Sequence, residues 1–125
     1  MTTETPSELR VSRDRRMLTV SFGPAERYEL PAELLRVMSP SAEVQGHSPE
    51  QRVTVAGKAN VEIMTIAPVG NYAIRITFDD MHDTGIFSWT YLRELGRDKE
   101  ERWRQYVDEL AEKDLSREPA ISRGH

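Results

Sequence analysis

Apolar residues recur at every second position in several stretches of this chain and at helical spacing in others. Tyr72, Ile74, Ile76 and Phe78 alternate with Ala73, Arg75 and Thr77, the period of a strand with one buried face. Asp79-Asp80-Met81-His82-Asp83 then reads as a polar turn, Gly85 to Trp89 as a second short strand, and Thr90 to Leu95 as the opening turns of a helix. Upstream, Leu9 and Val11, then Leu18, Val20 and Phe22, predict two strands joined around Arg13-Asp14-Arg15. Tyr28 to Leu30 predicts a third strand. Pro31 suits the first position of a short helix, whose apolar side is Ala32, Leu34, Leu35 and Met38.

The middle of the chain is less regular. Ser39 to Gln51 is loop-like, with two Ser-Pro steps, and Val53-x-Val55 is a candidate strand. Val61 to Ala67 is rich in β-branched residues and predicts a longer strand, which Pro68 to Asn71 turns into the Tyr72–Phe78 strand. After Leu95, Gly96 is read as a left-handed helix stop. Asp98, with Glu101 three residues on, is read as the cap of a new helix carrying the stripe Trp103, Tyr106, Val107 and Leu110.

Leu18-x-Val20-x-Phe22, a turn, Leu30 and Leu34-Leu35-Arg36 are matched by Ile74-x-Ile76-x-Phe78, a turn, Phe87 and Tyr91-Leu92-Arg93. The fold class expected is therefore α+β, two layers of antiparallel β hairpins with packed α-helices. Residues 9–113 form the domain, and residues 1–8 and 114–125 are expected to be disordered tails.

Composition narrows the chemistry. With 125 residues, 38% apolar and 30% charged, the chain suits one soluble domain with a modest core. A net charge of −4 argues against nucleic acid as a partner. The tight basic group Arg13, Arg15 and Arg16 is read as a charged hairpin tip. The absence of cysteine excludes disulfides, thiol catalysis and thiolate metal ligation by this chain. No apolar run approaches the roughly 18 residues of a membrane span, and the first residues lack signal-peptide character. The expected location is cytoplasmic.

His82, flanked by Asp79, Asp80 and Asp83, is the best-placed titratable group. A carboxylate there can orient the imidazole, or several can hold a metal; the plainer reading is a turn histidine tied to backbone and aspartate. His47 sits in another loop. Ser88 belongs to no G-x-S-x-G elbow, and no phosphate-binding or His-Glu-x-x-His pattern is present. The chain is read as not an enzyme.

The segments LPAELLRVMSPSAEVQGH and IAPVGNYAIRITFDDMHDTGIFSWTYL resemble the bacterial DUF971 family, named for its similarity to the N-terminal domain of gamma-butyrobetaine hydroxylase. The resemblance, over roughly Leu9 to Leu110, implies an α+β domain. Such domains occur alone in bacteria, ahead of the catalytic barrel in gamma-butyrobetaine and trimethyllysine oxygenases, and fused to iron–sulfur carriers in plants. It also implies a degenerate zinc site: Ser39, Ser41 and Val44 stand where the oxygenase relatives have cysteines, and only the histidine persists, as His82. Met81 replaces the family's usual turn glycine. The function expected is a non-catalytic accessory or protein-interaction module linked to iron–sulfur or metal-cofactor assembly, with no cofactor of its own. Its binding surface would be Asp79, Asp80, His82 and His47, and its partner a protein such as an iron–sulfur carrier. The alternatives are a small metal-binding domain using His82 and carboxylates, and an enzyme centred on His82. The sequence does not fix the oligomeric state.

Overall fold

The computed structural model describes residues 5–46 and 52–119. The alternating segments form two antiparallel three-stranded meanders. The first comprises β1 (Glu8–Val11), β2 (Met17–Ser21) and β3 (Arg27–Pro31), in that order across the sheet; the second comprises β4 (Ile63–Val69), β5 (Ala73–Phe78) and β6 (Gly85–Ser88). Among the described residues four helices accompany them: α1 (Ala32–Val37), α2 (Ala42–Gln45), α3 (Trp89–Arg97) and α4 (Lys99–Glu112). The fold is α+β.

The two halves share one plan, a meander running directly into a helix. Pro31, extended at φ −62° and ψ 144°, hands β3 to α1, and the first helical N–H, that of Ala32, donates to Arg16 O at 2.8 Å. In the second half Ser88 caps α3, its Oγ accepting the Tyr91 N–H at 3.1 Å. Each half's helix engages the other half. Arg36 and the residues after α1 meet the β5–β6 turn, while α3 lies against β3 and the strand-end residues before it. There Arg93 pairs with Glu26 at 3.0 Å and stacks its guanidinium 4.1 Å from the Phe22 ring centre.

Arg15, at the predicted hairpin tip, also joins the halves. Its carbonyl accepts the Ile63 N–H at 2.8 Å, and its guanidinium donates to Met64 O at 2.9 Å. The central strands supply the buried faces: Leu18 and Val20 from β2, and Ile74, Ile76 and Phe78 from β5. Trp89 is buried at the start of α3 and donates its indole N–H to Asn71 O at 2.9 Å.

Several expectations need correction. Tyr72 is exposed, because it belongs to the turn and β5 begins at Ala73. Residues 52–62 form no strand; Val53 and Val55 are held instead by single bonds, Val53 N–H to Val44 O and Tyr106 O–H to Val55 O. Gly96 does not stop a helix. It lies inside α3, and Asp98 is the junction, ending α3 and starting α4 with no side-chain cap bond. Of the expected C-terminal tail, residues 114–119 are described, and two of them bond to the domain beyond the end of α4. Ser116 O and Arg117 O accept the N–H groups of Gly57 and Ala59 at 2.9 Å each.

Gly96 is where the second half's helix touches the first half's edge strand. A Cβ there would stand 2.3 Å from Tyr28 Cγ, 2.5 Å from Cδ1 and 2.7 Å from Cβ, close to the strand backbone rather than to a flexible tip. Alanine gains about 1 kcal/mol of helix propensity, but overpacking of this kind costs typically 1–3 kcal/mol. Gly96→Ala is therefore expected to lower the urea midpoint despite improving the helix. A midpoint equal to or above wild type would mean that α3 and β3 separate freely.

Candidate functional site

The β5–β6 turn holds Asp79, Asp80 and His82, with His82 beneath the surface. Met81 N–H donates to Phe78 O at 2.9 Å and Phe78 N–H to His82 O at 3.0 Å, a tight turn that requires a left-handed residue. Met81 fills that position at φ 72°, so the backbone keeps the conformation that a glycine would adopt without strain. Asp79 is exposed and continues the sheet: its N–H donates to Glu62 O, and its carboxylate accepts the Glu62 N–H at 3.0 Å.

Asp80 is committed to cations. Its Oδ2 accepts Arg36 Nε at 2.7 Å and Lys58 Nζ at 2.6 Å, and its Oδ1 accepts the His82 N–H at 3.1 Å. Burial pushes this carboxyl up, but the bonds from Lys58, Arg36 and His82 outweigh it and hold it down at about 2. The Arg36 side chain is only 13% exposed, and its Nη1 is a buried nitrogen without a hydrogen-bond partner.

His82 is itself buried, at 6% exposure. Its Nδ1 lies 3.1 Å from Glu43 Oε1 and its Nε2 lies 2.9 Å from Ser39 Oγ. A carboxylate only accepts, which assigns the proton to Nδ1 and leaves Nε2 to accept the Ser39 O–H. Burial, then the nearby Arg36 charge, lowers the imidazole pKa against the opposing pull of Glu43 and Asp80, in keeping with a neutral ring. Ser39 Oγ also accepts the Ser41 N–H at 3.2 Å, and Ser41 Oγ meets Thr84 Oγ1 at 2.7 Å. A Cβ on Gly85 would fall 2.4 Å from Ser39 Oγ, so the glycine makes room for the serine beside β6.

Ser39, Ser41 and His82 thus meet in a hydrogen-bonded cluster, and Val44 is buried in α2. Ser39–His82–Glu43 follows the order of a nucleophile–base–acid relay, yet Ser39 is completely buried and Oγ offers no access to a substrate. The surface expected of Asp79, Asp80 and His82 is corrected accordingly: of the three, only Asp79 is exposed. His47 lies outside the described residues. Among the described residues no group of three or more His, Asp or Glu side chains is placed to hold a metal ion, and no helix is long and apolar enough to cross a membrane.

A small cavity of about 150 Å³ borders Asp79 and Asp80, and larger ones lie along α4. A cavity of about 360 Å³ is lined by Pro31, Glu33, Leu34, Trp103 and Arg117 among others. A second, of about 410 Å³, is lined by residues including Met38, Arg52, Tyr91, Arg102 and Glu109. Neither is lined by Ser39 or His82. The sequence reading missed Glu33, a polar position in a short helix, and Arg117, assigned to a tail. Their pairing spans nearly the whole chain, and no local pattern reports it.

Residues 9–93 match the family model described as gamma-butyrobetaine hydroxylase-like, N-terminal. Two proteins solved by solution NMR are each 43% identical to this chain: one has TM-score 0.82 and covers 99% of this chain and 98% of its own, the other 0.78, with 100% and 96%. A crystal structure of a DUF971-family protein of unknown function from Acidithiobacillus ferrooxidans is 35% identical, with TM-score 0.61, covering 75% of this chain and 94% of that one. No curated protein matches the chain.

Two outcomes follow from this geometry. A depressed Asp80 pKa contributes stability that is present above the unfolded value of 3.8 and lost as pH falls towards about 2. Asp80→Asn should cost about 2–4 kcal/mol at pH 7, since it leaves Arg36 underpaired as well. The gap between variant and wild type should then close between pH 4 and pH 2 in urea titrations. A gap independent of pH would remove Asp80 from the acid response. The lowered His82 pKa acts earlier and with the same sign: its contribution is complete above 6.5 and fades below it.

Met81, 72% exposed at positive φ, bears a backbone cost of roughly 1–2 kcal/mol that glycine lacks. Glycine's extra freedom in the unfolded chain returns part of this. Met81→Gly should therefore stabilise by about 0.5–1 kcal/mol, read as a higher thermal midpoint; a lower one would show that the methionine side chain holds the turn.

Proposed function

We propose that this chain, which belongs to the gamma-butyrobetaine hydroxylase-like N-terminal family, is a cytoplasmic, non-catalytic protein-interaction module whose contact surface is the α4 side. The observation that carries this reading is the division of the molecule. Ser39 and His82 are buried, Ser39 at 0% exposure, and only the carboxylate of Glu43 reaches solvent, while α4 is flanked by two open cavities. Rigid packing beneath an open polar–apolar face suits recognition of another protein. The resemblance to domains fused to iron–sulfur carriers supports a partner from iron–sulfur or metal-cofactor assembly.

A second reading, a hydrolase, is favoured by the 2.9 Å and 3.1 Å contacts of His82 with Ser39 and Glu43. It requires the site to open so that Ser39 Oγ can attack.

The experiment uses exposed charges on α4. A protein recovered with the wild-type chain from its source cell is purified and re-bound in solution to Glu100→Lys/Arg104→Glu and to Asp79→Ala/Met81→Ala. Affinity should fall at least ~10-fold with the α4 reversal and stay unchanged with the turn variant. Loss only with the turn variant would move the surface to the β5–β6 turn. Labelling of Ser39 by a fluorophosphonate, abolished by His82→Gln, would favour the hydrolase, and stoichiometric metal in chelator-free protein the metal-binding alternative.

A further inference from the structure

We propose that Glu33, Trp103, Pro31 and Leu34 form a guanidinium-recognition site, filled here by the chain's own Arg117 and able to take an arginine from an extended segment of a protein partner. This rests on the α4 surface argued above and gives that surface its chemistry.

The site is built for a planar fork. Nε and Nη2 of Arg117 donate to the two carboxylate oxygens of Glu33 at 2.9 Å each. The guanidinium carbon stands 5.0 Å from the Trp103 ring centre. Glu33 is 7% exposed, and a carboxylate so buried is costly unless paired. Two parallel bonds plus an aromatic face select a guanidinium over an ammonium, whose charge is a compact point and more strongly hydrated. The resulting ion pair raises the Arg117 pKa.

The segment that delivers Arg117 is held more lightly than the site it fills. Ser116 and Arg117 carbonyls accept one bond each from Gly57 and Ala59, Leu115 is 42% exposed, and Asp114 at the hinge has φ 58°. Beyond its bonds to the end of α4, its backbone bonds to the rest of the domain are those two, and its one large apolar side chain is partly exposed, features of segments that open at low local cost. Glu33, by contrast, sits on the buried helix α1, and Trp103 packs against the core from α4. Beside the filled fork, the cavity of about 360 Å³ remains open, with Pro31, Leu34 and Trp103 as apolar walls. An incoming segment has room there for the side chain next to its arginine. Occupation by Arg117 lowers the apparent affinity for any such segment by the fraction of time the site is closed.

The test keeps the full chain and replaces the internal ligand. Arg117→Ala and Arg117→Lys are titrated with the acetylated, amidated peptide Leu-Ser-Arg-Glu-Pro and with its lysine counterpart, following the Trp103 indole N–H by NMR. Arg117→Lys keeps the charge and serves if the alanine variant fails to fold. The arginine peptide should shift the Trp103 signal saturably and bind the variants at least ~10-fold tighter than wild type. The lysine peptide should bind at least ~5-fold more weakly, and Glu33→Gln in the Arg117→Ala background should abolish binding. Equal binding of the two peptides, binding that survives Glu33→Gln, or no saturable shift in either variant overturns the proposal. Failure of the α4 reading looks different: the peptide binds as expected, yet the α4 reversal leaves partner affinity unchanged.

Discussion

The structure depends on one polar tie, the contact between the end of α1 and the β5–β6 turn. Arg36 meets Asp80 at 2.7 Å, Ser39 meets His82 at 2.9 Å, and Glu43 closes the ring from α2. Burying these groups is unfavourable unless each finds a partner, because desolvation of a charge exceeds what one imperfect ion pair returns. The cluster meets that condition for Asp80 and His82 and falls short at Arg36 Nη1. Its contribution therefore lies in geometry as well as net energy. A loop after the first meander and a turn in the second have one register in which all these bonds form together. Apolar contact alone would allow several.

That tie also explains why the halves cannot be treated separately. α1 ends against the second half's turn, and α3 lies on the first half's edge strand, where Gly96 has no Cβ to keep Tyr28 away. Arg15 secures the same joint from the opposite direction, with its backbone in the left-handed region at φ 64°. Of the basic tip of the first hairpin, Arg15 is thus spent on carbonyl oxygens of β4. Three long-range contacts of different chemistry fix one arrangement of two similar units.

What the sequence disclosed follows from the range over which each feature is decided. Strand alternation is set by immediate neighbours, so β2, β5 and β6 were legible, as were Tyr106 and Leu110 of the α4 stripe, whereas Val107, read into the same stripe, is exposed and the Ser88 cap of α3 was not read. Sequence similarity between the halves was legible too, and the shared meander-plus-helix plan is its structural counterpart. Tyr72 was misread because alternation continues into a turn without announcing where the strand begins. Gly96 was misread because a glycine near a helix end carries the same local signal whether it terminates the helix or admits a neighbouring ring. For the site, His82 and its neighbours were legible as a cluster, but the partner of its Nδ1 was not. The adjacent aspartates are the local signal, whereas the acid that reaches the ring is Glu43, from helix α2 far away in sequence. Glu33 and Arg117 left no local trace.

The same logic separates the two polar clusters by what each can do. Around His82 the ring is buried and the serine lies behind Gly85, while the acid, its side chain 64% exposed, is borne on a short helix whose cap, Ser41, belongs to the cluster. Moving one member breaks several bonds at once, so the relay order of Ser39, His82 and Glu43 arises from satisfying buried donors and acceptors, which needs no substrate. Around Glu33 the arrangement is asymmetric. The carboxylate and the aromatic face belong to packed helices, and the cation belongs to a segment that, beyond its bonds to the end of α4, is held by two backbone hydrogen bonds to Gly57 and Ala59 and by its own side chain. A buried acid with a removable partner has a standing demand for a cation of the same shape. That demand is the physical basis of the recognition proposed for the α4 side, and the histidine cluster ties together the two halves of the domain.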